Sequence, residues 1–591
     1  MANRSGTNST YERSAEDPAL QEIRALLGAG SLDVAESKID ALLEANPEDP
    51  FAWDSRGVLA HLRGDPRVAR SHTRRAIRFL DAAPAFHEHM ALYLRLLSRP
   101  ADAIVSTQRA LELLEQAGVA SPARCAALHD FWGRLAGDCG DLYASIVQHE
   151  LASSLLPDNL EFSSNLAVAY AEHADHAQAA LDTIAAVTRQ APDRADFHFN
   201  RGKIETKVGT DSEAIRAHER ALQLDPTYVG ATMELASLHE RSGRRAPAEA
   251  LLTKLLAAAP EAHSIRFNRG LLRLRGREWE DGFLDFEARY EMPDIPTPQL
   301  PSPRWVHPHD SASRAGVGAS TLDIGECDLL IVAEQGLGDT IQFSRFCESI
   351  RRDYHPASIT LQVHPRLHSL LAALPGVDRI TSLKEPPPPH DVWTGLMSLP
   401  LLSGMARRGD FRHHACFAPS TARSQQWRYL LPERRALRVA IAWQGNPNYA
   451  GDATRSIPLR CFLPLLEQVD GLDLISLQAG DGLDQLANHE GVSGLHTIKE
   501  PLDAQGAFLD SAAILSHCDL LLSSDTSIVH LAASMGVATW VPTAHSPDWR
   551  WSGDGSASPW YDAVRLFRQP TAGDWTTTFQ HIASALQELT P

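Results

Sequence analysis

Residues 523–527, Ser-Ser-Asp-Thr-Ser, gather hydroxyls and one carboxylate directly after the apolar run 520–522. Residues 528–535 then read as a helix closed by Gly536. A strand, a polar turn and a helix start form an anion site, because free backbone N–H groups and the helix dipole point at whatever sits there. A second such turn is Glu334-Gln-Gly-Leu-Gly-Asp339, which follows the strand-like residues 328–333. Gly336 and Gly338 let a ligand approach the backbone there. Asp339, at the start of a helix running to Ile350, is placed as a general base that would take a proton from an attacking hydroxyl. Asp339 and Asp525 read equally well as helix caps. Other strands also end in polar groups: Gln444 and Asn446 after 437–443, and Gln478 closing 473–478. Arg455 would set a fixed charge on a phosphate, or else it is a solvated surface arginine. Several strands offering polar groups at one edge are what a nucleotide site needs. The Gly336-Leu-Gly338 turn lacks a third glycine, and no acidic residue closes the next strand, which argues against a dinucleotide fingerprint.

These turns need parallel strands alternating with helices. Further strands are expected at 358–363, 379–383, 391–393 and 537–541, with a helix at 505–516. Together they make two α/β units, 322–430 and 431–591.

Upstream the chain is periodic. Pro157, Pro192, Pro226, Pro260 and Pro293 are spaced by 35, 34, 34 and 33 residues. Asn165, Asn200, Glu234 and Asn268 keep step with them, followed two residues on by Ala167, Gly202, Ala236 and Gly270. Small residues at fixed places let the two helices of a hairpin pack closely, and a period of 34 in this layout is the tetratricopeptide signature. Weaker repeats extend upstream, so about eight hairpins are expected over residues 18–293, stacked as an α-solenoid with a concave face. Asn165, Asn200 and Asn268 occupy one equivalent place. A row of amides offers donors and acceptors to the backbone of a bound protein. Five prolines between Pro293 and Pro303 predict a stiff linker, 294–321, with a polar loop at 311–321.

Composition bounds the rest. The net charge of −19 argues against a partner held by a basic surface, such as nucleic acid. Seven cysteines without a C-x-x-C pair indicate neither a disulfide framework nor a zinc site, and no D-x-D pair in the C-terminal half offers a metal site. No apolar run is long enough for a membrane span, and residues 1–17 lack an apolar segment of the signal-peptide kind, so the cytoplasm is the expected compartment.

Gly336 to Ile341, G-L-G-D-T-I, and Ser524 to Ala533, S-D-T-S-I-V-H-L-A-A, resemble the heptosyltransferase-like glycosyltransferases of family nine. That resemblance implies a GT-B module, two Rossmann-like units with the donor between them, over roughly residues 328–589. Repeats followed by such a module resemble bacterial protein glycosyltransferases, in particular the flagellin-modifying enzymes that use an activated nonulosonic acid such as pseudaminic or legionaminic acid. The row of asparagines is similar to the ladder of the protein O-GlcNAc transferases. Carried over residue by residue, the resemblance makes Asp339 the catalytic base. It places Arg455, Asp525, Thr526, Ser527 and His530 at the donor; the turn residues Gly336, Gly338, Gln444, Asn446 and Gln478 join that donor-binding set from their places at the strand ends, and Asn165, Asn200 and Asn268 form the expected acceptor platform. The implied reaction is metal-independent inverting transfer from a nucleotide sugar, with no cofactor, to Ser or Thr of a protein acceptor, flagellin by resemblance. A lipid- or polysaccharide-directed transferase and a non-catalytic repeat scaffold remain open alternatives.

Overall fold

The structure, a computed structural model, describes residues 17–292, 295, 297–306, 319–320, 323–412, 415–449, 451–489, 491–498 and 500–589. Residues 1–16, Pro293, Asp294 and Pro296 of the proline run, and the predicted loop 311–321 apart from Ala319 and Ser320, lie outside the described residues. From Pro18 to Phe286 sixteen α-helices follow one another among the described residues, a tetratricopeptide solenoid that precedes two parallel sheets. The chain divides into two compact units between Leu238 and His239.

In the first unit six hairpins pair Pro18–Gly28 with Leu32–Ala45, Pro50–Leu62 with Pro66–Phe79, Pro84–Leu96 with Pro100–Ala117, Pro122–Asp138 with Leu142–Leu155, Leu160–Ala171 with Ala177–Gln190, and Ala195–Val208 with Asp211–Leu224. Local sequence starts several of these helices: Asp17, Asp49 and Asp65 cap helices whose first residue is proline, and their carboxylates accept from the exposed N–H groups of the first turn. In three hairpins a glycine of the first helix meets the residue sixteen positions on. A Cβ at Gly57 would lie 2.5 Å from Thr73 Oγ1, and one at Gly133 would lie 2.7 Å from the His149 ring. At Gly202 it would run into the His218 ring.

His218 is fully buried, and neither ring nitrogen has a hydrogen-bond partner. Burial, and then the Lys203 charge, push its imidazole down to about 4. The unfolded chain therefore takes up a proton that the folded unit refuses. Stability is fully present above the unfolded value of about 6.5 and is lost as pH falls toward 4. The loss should approach about 3 kcal/mol, read as acid-sensitive melting of the repeats that His218→Leu relieves. Identical acid sensitivity in that variant would assign the effect elsewhere.

The second unit carries both sheets. The first contains β1 (Arg304–Trp305), β2 (Ala319–Ser320), β3 (Asp328–Val332), β4 (Ser358–Val363), β5 (Arg379–Ser382) and β6 (Val392–Gly395), in the order β2-β1-β6-β3-β4-β5. The second contains β7 (Leu437–Ala442), β8 (Leu472–Ser476), β9 (Leu495–His496), β10 (Leu520–Ser523), β11 (Thr539–Thr543) and β12 (Val564–Arg568), in the order β12-β11-β10-β7-β8-β9. Every pairing between these strands is parallel. The apolar runs of β7, β8 and β10 are buried along their whole length, as parallel strands covered on both faces require. Strand order reverses between β3 and β6 in one sheet and between β7 and β10 in the other. Such switch points open crevices at the carboxyl ends of the strands.

Two features differ from the sequence-based division. Arg304–Trp305 and Ala319–Ser320, inside the expected linker, are strands of the first sheet, and Trp305 is buried with its ring 5.0 Å from Tyr354. The unit boundary also falls upstream of the proline segment. Helices His263–Arg275 and Trp279–Phe286 read as one more repeat hairpin, yet Trp279, Phe283 and Phe286 belong to the core of the sheet-bearing unit. The Trp279 ring lies 5.5 Å from Trp560 and 5.1 Å from Phe411, and Phe283 lies 5.9 Å from Trp549. Behind this hairpin Arg289, 1% exposed, bonds Glu334 at 2.9 Å, Glu287 at 2.6 Å and Ser398 at 2.8 Å. Arg304 holds the other Glu287 oxygen at 3.0 Å. Burial opposes the Glu287 charge, but Arg289 and then Arg304 outweigh it and keep the carboxyl below its usual range.

Candidate functional site

The two switch-point turns meet. The helix Leu337–Ser344 follows β3, and the helix Ser527–Ser534 follows β10; they touch at Gly338, where a Cβ would lie 3.1 Å from Ser527 Oγ and 3.2 Å from His530 Cδ2. A side chain there would crowd both neighbours, so Gly338 serves the close approach of the two helix starts.

Asp339 does two jobs. Its Oδ2 accepts the N–H of Gly336, the N-cap of its helix, at 2.9 Å. Its Oδ1 accepts from Arg550 at 2.5 Å. Arg550 sits in the short helical turn Trp549–Trp551 beyond β11. It donates through Nε to Gln342 at 2.8 Å and through Nη1 to Asp548 at 2.9 Å, and its guanidinium lies 4.3 Å over the Trp549 ring. The sequence analysis assigns Arg550 no role, although it stands in the run Asp548-Trp-Arg-Trp. An arginine set between tryptophans was the available signal.

Asp525 faces the same group of charges. Burial, and then the charge of Asp548, raise its carboxyl to about 6, against the pull of Trp551, Arg455 and Arg550. Thr526, the N-cap of its helix, and Ser527 stand beside it, with Thr526 Oγ1 3.4 Å from Ser523 Oγ. Arg455 is braced by Asp452 at 3.1 Å and lies 4.7 Å over the half-exposed Tyr449 ring, with Gly445 packed close to its guanidinium. His530 is buried, stacked 5.5 Å from Trp551 and hydrogen-bonded to the Tyr561 hydroxyl at 2.9 Å. Burial, and then Arg550 and Arg345, push its imidazole well below the usual range, so the ring is neutral.

The remaining sequence candidates are drawn into structure. Gln478 accepts from the N–H groups of Trp443 and Gln444 and donates to the carbonyls of Gln444 and Asp481, at 2.7 to 3.0 Å. Both donors are used and the oxygen accepts twice, so Gln478 shapes the turn and has no group left for a ligand. Gln444 accepts from Gln485 at 3.2 Å, and the exposed Asn446 folds back on its own turn, accepting from Asn448 N–H at 3.0 Å.

The asparagines do not form one open ladder. Asn165 donates to Asp130 of the preceding hairpin at 2.8 Å, and Asn200 donates to Ser164 at 3.0 Å. His89 makes the corresponding contact with Asp54 at 2.9 Å, a member of the row that alternation of asparagines did not reveal. An ionised carboxylate only accepts, so the Asn165 amide must turn its nitrogen to Asp130 and its oxygen outward. Asn268, in the second unit, donates to Ser264 O of its own helix at 2.8 Å.

Among proteins of known kind, residues 212–266 match one tetratricopeptide repeat family, and residues 20–85 and 164–229 match another. Protein FlbA of Caulobacter vibrioides is 25% identical over 490 residues, covering 77% of this chain and 78% of that one. That stretch is longer than everything upstream of the sheets, so the likeness includes part of the sheet-bearing unit. Solved structures similar to part of the chain include yeast Tom70, with TM-score 0.36, 17% identity and coverage of 45% of this chain and 56% of that one. Another is the thermophilic tetratricopeptide protein TTC0263 of Thermus thermophilus, with TM-score 0.28, 21% identity and coverage of 32% of this chain and 100% of that one. Among the described residues no helix is long and apolar enough to cross a membrane.

Proposed function

We propose that the chain is a protein O-glycosyltransferase with a GT-B catalytic half. In this reading it moves a sugar from a nucleotide donor, such as an activated nonulosonic acid, to a Ser or Thr hydroxyl of a protein held by the repeats. Flagellin is the acceptor named by the resemblance. The observation that carries the reading is the convergence of two parallel-sheet switch points on one cluster: Asp339 from the first sheet, and Asp525, Thr526 and Arg455 from the second. The acceptor hydroxyl attacks the anomeric carbon, its proton passes to Asp339, and the nucleotide phosphate leaves toward the Thr526–Ser527 helix start and Arg455. Charge on the sugar ring in the transition state is of the oxocarbenium kind. Repeat arrays present extended surfaces to other proteins, which suits them to recruit the acceptor.

Incubating the full chain with labelled nucleotide sugars and flagellin tests this directly. Label on Ser or Thr supports it; label found only in lipid, or release to neither, overturns it. The environment of Asp525 adds a signature. Protonation near pH 6 removes a negative charge from the cleft, so nucleotide binding should strengthen as pH falls through about 6. Asp525→Asn should flatten that profile in calorimetry, and an unchanged profile would remove Asp525 from the site.

A further inference from the structure

We propose that Asp339 and the anionic group of the bound ligand compete for one guanidinium, that of Arg550, so that binding takes the arginine over and releases the carboxylate as a base. The proposal rests on the cleft being a nucleotide-sugar site.

Arg550 is held independently of Asp339. Nε is fixed by Gln342, Nη1 by Asp548, and the guanidinium lies over Trp549, while Trp560 Nε1 donates to the Arg550 carbonyl at 3.0 Å. Losing the Asp339 contact therefore need not displace the arginine. A guanidinium has five N–H donors, and the three contacts to Gln342, Asp548 and Asp339 leave one N–H on each terminal nitrogen. Two N–H groups on neighbouring nitrogens form the fork that grips a phosphate or carboxylate. Asp339 is likewise held without Arg550, because its other oxygen caps Gly336. The carboxylate can turn one oxygen away and keep its place on the helix.

Charge supplies the drive. Asp339 and Asp548 both bond this one buried arginine, and Asp525 lies within its field. An incoming anion becomes a third negative partner of that one guanidinium, beside Asp339 and Asp548, unless a carboxylate gives up its hold. Asp339 is the partner on the opposite sheet, whereas Asp548 stands two residues from Arg550 and also caps its turn. With Oδ1 engaged by Arg550 and Oδ2 by Gly336, both Asp339 oxygens are occupied, and release from the arginine frees one for a substrate hydroxyl. Binding of the donor and readiness of the base are thereby linked, and Arg550 joins the cleft as the anion-binding residue.

Calorimetry on the full chain with CMP, UDP, GDP and ADP tests this. Asp339→Asn keeps the capping oxygen and removes the competing charge, so the nucleotide that binds should bind about tenfold tighter. Arg550→Gln should weaken it about tenfold, and Asp339→Asn added to Arg550→Gln should then change nothing, the mark of competition in a double-mutant cycle. Should Arg550→Gln fail to fold, Asp339→Asn alone decides. If a nucleotide binds wild type and Asp339→Asn equally, the competition is wrong while the nucleotide site stands. If none of the four binds wild type, the reading of the cleft falls with it.

Discussion

Asp339→Asn should lower sugar transfer by about 10²- to 10⁴-fold while leaving the fold and its melting behaviour in place. The asparagine retains an oxygen for the Gly336 N–H, so the helix Leu337–Ser344 keeps its start. What disappears is the charge, and with it both the capacity to take a proton and the ion pair to Arg550. The substitution therefore separates two roles that a single carboxylate performs. A structural cap predicts full turnover in the variant; a base predicts a large loss even at saturating donor. The measurement is turnover against donor concentration, with circular dichroism as the control. Turnover near that of wild type would confine Asp339 to capping.

Arg289→Met should destabilise the sheet-bearing unit by about 3–5 kcal/mol. The substitution fills similar volume but strands Glu287 and Glu334, which are 2% and 12% exposed at their side chains, with much of their counter-charge gone. Glu334 also accepts the Met397 N–H at 3.0 Å, so its carboxylate ties the turn after β3 to the chain after β6, across the switch point. A chemical-denaturation curve of the full chain should show the loss in the transition of the second unit and none in that of the first. A change under about 1 kcal/mol would mean that Arg304 alone can hold Glu287 and that the network contributes little.

The repeats were legible because several positions keep register across a period, and the period itself is the physical cause of the stacking. The sheets were legible because parallel strands buried on both faces leave continuous apolar runs, as in Leu437–Ala442 and Leu520–Ser523. β1 and β2 were not, since strands of two residues are too short to show an alternation or an apolar run. The true unit boundary was hidden for a related reason. Trp279, Phe283 and Phe286 have helical spacing that serves equally for stacking on another hairpin and for packing on Trp549 and Trp560. In the cleft, Asp339 and Asp525 stood out because each follows an apolar run and opens a helix. Gln478 stood out in the same way but is consumed by backbone groups, which residue type cannot show. The partnership of Arg550 with Asp339 spans 211 residues, and no local pattern announces it.

The hairpin His263–Phe286 has a consequence for how such a chain can be inherited. Trp279 shares its core with Trp549 and Trp560, the residues that flank and support Arg550. Recombination at the proline segment would part these aromatics and leave both products with an open core. A joint in the loop after Leu224, between two hairpins, would not, because repeats pack only on their neighbours. Whole repeats upstream of that point are thus free to be duplicated, lost or exchanged as lineages meet new partners. The final hairpin must travel with the sheets as a fixed adaptor. Selection on its tryptophan should track Trp549 and Trp560, over 260 positions away, more closely than the repeats it resembles.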